Sequence, residues 1–236
     1  MTKEEKLSTK FETRDIVVPG DLLYEGRIRT GENTFRREGN VYSNKVGLVS
    51  YSQDRVSVIA LEGTYTPLVG DLVVGMVIDI ALGQWVVDIN ASTDAILTIT
   101  DAINKSFRTN FDMTKVLDVG DVVVAKIVDL DRRRTPILSI VGRELGKVHE
   151  GFILKITPSK IPRLIGKKGS MINMILRETR CQITIGQNGR ILINGRNRED
   201  EELVVKVVHK IETEAHTSGL TNRIQEYLRE IKEDRK

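Results

Sequence analysis

Between residues 152 and 211 the apolar pattern changes period in an order that few folds satisfy. Phe152-Ile153-Leu154-Lys155-Ile156 reads as a strand, and Pro158 with Ile161-Pro162-Arg163-Leu164-Ile165 as a short apolar turn of helix. Gly166-Lys167-Lys168-Gly169 interrupts. The run from Ser170 to Leu176 then sets Ile172, Ile175 and Leu176 at helical spacing. Gln182-Ile183-Thr184-Ile185 and Arg190-Ile191-Leu192-Ile193 read as two further strands. Leu203, Val204, Val207, Val208 and Ile211 share one face of a closing helix.

The glycines at 166 and 169 let a backbone approach a phosphate chain closely, the lysines supply point charges, and the helix that follows offers unpaired N–H groups. The tetrapeptide alone carries little weight. With 19 glycines in 236 residues, about one or two Gly-x-x-Gly matches arise by chance. A second one, Gly186-Gln187-Asn188-Gly189, lies between two alternating runs and reads as a hairpin turn. The flanks separate the two. The plain structural alternative for Gly166 and Gly169, a tight turn between helices, stays open.

Strand–helix–GxxG–helix–strand–strand–helix, with Ile165-Gly166-x-x-Gly169-x-x-Ile172, resembles a KH domain. The resemblance implies a clamp on the backbone of roughly four nucleotides at that loop. Charge points the same way. Residues 151–198 carry ten Lys/Arg against the single acid Glu178, a net of +9 in a chain whose total is +3. Lys160 and Arg163 belong to that stretch. A local positive field attracts phosphate.

The preceding two-thirds is β-patterned, with short alternating runs rich in Val, Ile, Thr and Gly. Gly-Asp pairs recur at 20, 70 and 120, in Val18-Pro19-Gly20-Asp21, Val69-Gly70-Asp71 and Val119-Gly120-Asp121. Each reads as a turn launching a strand. The equal spacing leaves duplication undecided. Residues 68–142 resemble the five-stranded S-one-type OB fold, which binds single strands with a basic groove and aromatic platforms. The family pattern has aromatics on both sides of a central Gly. Here Leu82 and Trp85 stand there, so Trp85 is either the surviving platform or core. Lys105, Arg108 and Arg132-Arg133-Arg134 are candidate phosphate contacts. Residues before 67 make a smaller β unit behind a charged tail.

The order small β unit, S-one-type OB fold, KH domain resembles the RNA-binding cap subunit of the archaeal exosome, the ribosomal-RNA-processing "four" family. Polynucleotide phosphorylase carries its two RNA modules in the reverse order. The other archaeal cap protein carries a zinc ribbon, which one cysteine, Cys181, cannot build. The expected architecture is therefore multidomain: an N-terminal β domain over 1–66, an OB fold over 67–145, an α+β KH domain over 146–218 and a C-terminal helix over 219–236. The resemblance implies three copies on a hexameric ring of RNase-PH-like subunits. The first domain would dock on the ring, and single-stranded, A-rich RNA would pass by its 3′ end into the pore. A stand-alone RNA-binding factor of transcription or translation and a nuclease are the other readings.

No catalytic residue, metal site or cofactor is expected. His149, His209 and His216 lack a useful ligand spacing, and neither a Walker loop nor HExxH is present. No apolar run is long enough to cross a membrane, no signal peptide is apparent, and one cysteine suits a reducing cytoplasm.

Overall fold

The computed structural model describes residues 10–52, 54–61, 63–103, 112–215, 217 and 219–233. The chain divides into two compact units between Gly63 and Thr64. The first is built from short strands: β1 (Ile16–Val17), β2 (Leu22–Tyr24), β3 (Arg29–Thr30), β4 (Thr34–Arg37), β5 (Asn40–Ser43), β6 (Gly47–Ser52) and β7 (Arg55–Ala60). They form one sheet in the order β1-β6-β7-β3 and a second in the order β2-β5-β4. Val17, Leu23, Val41, Val49, Val56 and Val58 are the core between them.

The second unit opens with a barrel of β8 (Leu72–Ala81), β9 (Gln84–Asp88), β10 (Ala95–Thr98), β11 (Val122–Leu130) and β12 (Pro136–Ser139), with helix α1 (Ile99–Ile103) after β10. The order β12-β10-β9-β8-β11 closes because β12 also pairs with β11. Only the β10–β12 pairing is parallel. Closure removes both sheet edges and gives every inward residue the same dry interior. Val73, Val77, Val87, Leu97, Val123, Ala125, Ile127 and Leu138 fill it. Strand β13 (Gly146–Lys147) adds to the far side of β11. Tyr65 joins this core and its hydroxyl donates to Asp71 at 2.6 Å.

The three Gly-Asp turns are one device. Gly20, Gly70 and Gly120 have φ of 95°, 98° and 93°. In each turn the Asp carboxylate accepts the N–H three residues back, from Val18, Leu68 and Asp118. The Asp N–H returns to the carbonyl of that same residue. The two turns of the barrel are reciprocal. Gly70 and Asp71 bond across to Ile127, while Gly120 and Asp121 bond across to Val77. Each turn thus ties the start of β8 or β11 to the other strand of the pair.

The KH region follows as expected: β14 (Phe152–Lys155), α2 (Ile161–Ile165), α3 (Ser170–Thr179), β15 (Gln182–Ile185), β16 (Arg190–Asn194) and α4 (Arg198–Glu214). Its antiparallel sheet runs β14-β16-β15. Helix α4 starts where Asn197 accepts the Asp200 N–H at 2.8 Å, and Glu199, Asp200 and Glu201 sit at the positive end of its dipole. The last helix, α5 (Leu220–Glu233), buries Leu220, Ile224 and Leu228 in the KH core. It is part of that core and not a separate element. No described helix is long and apolar enough to cross a membrane.

Candidate nucleic-acid interface

Helix α2 lasts five residues because Gly166 ends it. The Gly166 N–H returns to the Pro162 carbonyl at 3.0 Å, and its φ is 75°. A Cβ at this position would lie 2.8 Å from the Met171 backbone nitrogen and Cβ, so only glycine lets the two helices meet this closely. Gly169 is left-handed as well, at φ 77°, and Lys168 at φ 54° completes the reversal. Helix α3 then begins at Ser170 and buries Met171, Met174 and Ile175.

This geometry pushes Lys167 and Lys168 outward. Both are exposed, and neither has an ion-pair partner among the described residues. Helix α3 starts two residues after Lys168, and the Ser170 N–H is already given to the Lys167 carbonyl. Arg163 is exposed on α2 and Lys160 is half-buried at its start. Lys160, Arg163, Lys167 and Lys168 thus lie at the start of α2, on it and just after it, beside the start of α3, an arrangement whose charge and helix dipole suit an anion.

The barrel supplies less than its sequence suggested. Trp85 is wholly buried, and its Nε1–H donates to the Leu117 carbonyl at 2.9 Å. It is core and offers no face to a base. The parity of β9 carried that signal: Trp85, Val87 and Ile89 point inward, and Gln84 and Asp88 point away. Arg132 and Arg133 are exposed at the β11–β12 tip. Asp131 holds that tip by accepting the N–H groups of Arg133 and Thr135, each at 2.7 Å. Lys105 and Arg108 lie outside the described residues. Among the described residues no group of three or more His, Cys, Asp or Glu is placed to hold a metal ion.

The second Gly-x-x-Gly is more than a hairpin turn. Gln187 donates its N–H to the Leu72 carbonyl at 2.8 Å. Asn188 is fully buried against the barrel. Its Nδ2 donates to the carbonyls of Val74 and Ile89, both at 2.8 Å, and its Oδ1 accepts the Val74 N–H at 3.3 Å. Asn90 donates back to the Asn188 carbonyl at 2.9 Å. Arg190, only 5 % exposed, reaches the Asp88 carboxylate and donates to the Asp88 carbonyl at 2.6 Å. One of the ten positive charges of 151–198 is thus spent inside the molecule. The KH region and the barrel share a fixed frame, so the lysine corner keeps one orientation relative to the barrel.

Burial alone would raise the Asp88 carboxyl. The Asn90 N–H and the Arg190 guanidinium outweigh it, and the group titrates below the usual aspartate range. A depressed folded value stabilises the native state above the unfolded pKa, and that contribution is lost as pH falls through the folded one. The barrel–KH joint is therefore expected to hold from neutral pH to about pH 4 and to weaken below it. Melting temperatures of the wild type and of Asp88→Asn from pH 7 to pH 3 check this. The gap between the two curves should narrow as pH falls below about 4. A gap that stays constant across the whole range would place the acid sensitivity elsewhere.

An OB barrel fused to a βααββα domain with an open glycine–lysine corner defines a single-strand RNA-binding protein of the S1-plus-KH class. Family comparisons are more specific. Residues 14–62 match the N-terminal domain of the exosome RNA-binding protein RRP4, residues 64–129 match the RRP4 S1 domain, and residues 151–199 match a KH domain. The exosome complex component Rrp4 of Methanobrevibacter smithii is 42% identical over 217 residues, covering 92% of this chain and 72% of that protein. That of Thermococcus kodakarensis is 41% identical over 227 residues, covering 93% and 88%. A crystal structure of an exosome-complex RNA-binding protein superposes with a TM-score of 0.69 at 37% identity, covering 74% of this chain and all of that one. The chain belongs to the Rrp4 family of exosome RNA-binding components.

Proposed function

We propose that this chain is a non-catalytic cap that catches single-stranded RNA, with a preference for A-rich tails, and delivers its 3′ end to a phosphorolytic ring. Three copies would sit on a hexamer of RNase-PH-like subunits in the cytoplasm, attached through the N-terminal unit. The observation that carries the reading is the corner at Gly166–Gly169. Two exposed lysines come just before the start of α3, on a KH frame fixed to a barrel. Such a corner holds a sugar–phosphate chain and has no group that could cleave it.

Reconstitution tests the proposal. The purified chain should co-elute with ring subunits on size exclusion and should speed their shortening of 5′-labelled RNA in phosphate and Mg²⁺. The chain alone should leave the RNA intact. Shortening by the chain alone would make it a nuclease. Failure to co-elute would make it a free RNA-binding factor.

A further inference from the structure

The KH sheet has two faces. Ile191 and Ile193 of β16 point into the helical core. Arg190, Leu192 and Asn194 alternate with them and point the other way. Gln182 and Thr184 of β15 stand opposite Asn194 and Leu192 on that same side. This side looks at the barrel, since Arg190 reaches Asp88 across it. The barrel answers with Val124, which points out of β11 between the inward Val123 and Ala125 and is still only 5% exposed. The two layers do not close completely. A cleft of about 690 Å³ remains between them, within the usual size of a small-molecule site. Val124, Val148 and Leu192 give it apolar walls, and Gln182, Thr184 and Asn194 line its KH side.

The polar groups of the cleft are under-used. Among the described residues the Gln182 amide and the Thr184 hydroxyl make no side-chain hydrogen bond. Asn194 donates from Nδ2 to the Glu150 carboxylate at 3.4 Å, which leaves its Oδ1 open as an acceptor. Glu144 and Glu150 also line the cleft, and its lysine, Lys147, is already paired with Asp121. Two carboxylates repel a phosphate, so the backbone of a nucleic-acid strand would stay outside while a neutral base enters. A strand held at Gly166–Gly169 has the reach. Helix α3 is ten residues long, about 15 Å. Four nucleotides, the stretch a KH loop clamps, cover that length at about 3.4 Å each. Arg177 and Arg180 are exposed along the end of this path, and β15 begins two residues after Arg180.

We propose that this cleft reads a base: Gln182 and Asn194 take the amino edge of an adenine whose backbone is held outside at the lysine corner. This assignment rests on the cap reading and deepens it by naming the residues behind the preference for A-rich strands. Adenine sets a donor, its N6 amino group, beside a ring-nitrogen acceptor, and side-chain amides are its usual complement. The Asn194 Oδ1 accepts from N6, and the Gln182 amide donates to the ring nitrogen. Val124 and Leu192 cover the faces of the ring. Uracil and guanine carry a carbonyl oxygen where adenine has its amino group, and that oxygen would stand against Oδ1. The barrel has no competing platform, because Trp85 is sealed in its core.

The test measures binding of the full chain to oligo(A), to oligo(U) and to an oligo(A) in which inosine replaces adenosine, by fluorescence anisotropy. Inosine keeps the purine and exchanges the N6 amino group for an oxygen. The wild type should bind oligo(A) about tenfold tighter than either of the others, the discrimination of one good bidentate contact. Gln182→Ala combined with Asn194→Ala should lose that factor for oligo(A), leave oligo(U) within about twofold and keep the melting temperature. Lys167→Asp with Lys168→Asp should weaken oligo(A) and oligo(U) alike and keep their ratio. A wild type that prefers oligo(A) to oligo(U) but binds the inosine strand equally well would overturn the assignment and leave the cap reading standing. So would a double alanine variant that keeps the preference. If that variant does not fold, the inosine comparison decides alone. Adenosine monophosphate at the strand's concentration should displace none of it, and displacement would make the cleft a free-nucleotide site and overturn the strand assignment. A wild type that does not distinguish oligo(A) from oligo(U) would remove the A-rich preference itself, and one that binds neither would remove the RNA-binding reading.

Discussion

Replacing Asn188 by alanine is expected to destabilise the chain by about 3–5 kcal/mol, because each buried partner left without its hydrogen bond costs on the order of 1–3 kcal/mol. The side chain satisfies the Val74 N–H and the carbonyls of Val74 and Ile89, all at a site closed to water. The alanine variant leaves those groups dry and opens a gap the size of an amide. The second expected result is a loss of cooperativity. The barrel core and the KH core are separate clusters joined across this turn, so the variant should unfold in two steps where the wild type unfolds residues 64–236 in one. Differential scanning calorimetry reads both quantities. A single sharp transition with a melting temperature within a degree of wild type would mean that the joint is held elsewhere. Asn188→Asp is a useful companion, since it keeps the size and one acceptor but loses both donated bonds.

Reversing charge at the lysine corner, Lys167→Asp with Lys168→Asp, should lower affinity for single-stranded RNA by about 100-fold at low salt, with the log–log salt slope falling by about 1.4, or 0.7 per lost phosphate contact. The fold should tolerate it. Both side chains are exposed, aspartate accepts the left-handed conformation of position 168 better than most residues, and acids suit the start of α3. Fluorescence anisotropy across a salt series gives affinity and slope together. An unchanged slope would move the phosphate contacts to the barrel, with Arg132 and Arg133 as the next candidates.

These two results probe features of unequal legibility. The KH order was readable because its evidence is local. A change from strand period to helical period, two glycines at a reversal and a run of acids at a helix start all act over a few residues. The three Gly-Asp turns were readable for the same reason, since each closes on itself within four positions. For Trp85 the sequence leaves platform and core both open, because the motif resemblance pulls against a strand parity that groups it with Val87 and Ile89; burial follows the parity. Asn188 was beyond reach. Its partners stand 114 and 99 residues away, and beside a glycine an asparagine has a sufficient local explanation as a turn residue. The structure keeps that turn, with the Gly189 N–H on the Gly186 carbonyl at 3.2 Å, but the turn does not account for the burial of the Asn188 side chain. Its side chain, and not its backbone, is what the position needs. Arg190 was counted as a surface charge because nothing nearby in sequence reveals Asp88.

The buried hairpin tip has a consequence for how this architecture can change over time. In most small domains the tip of a surface hairpin absorbs insertions freely, since it touches only water. Here Gly186 has the Val74 nitrogen 2.9 Å from where a Cβ would stand, and Gly189 has the Ile156 carbonyl oxygen at 2.3 Å. No residue can be added between them without prying two modules apart. Lineages that diversify their RNA grip are therefore expected to vary in length at the exposed Arg132–Arg134 tip, while the β15–β16 connection keeps the same length wherever the two modules travel together.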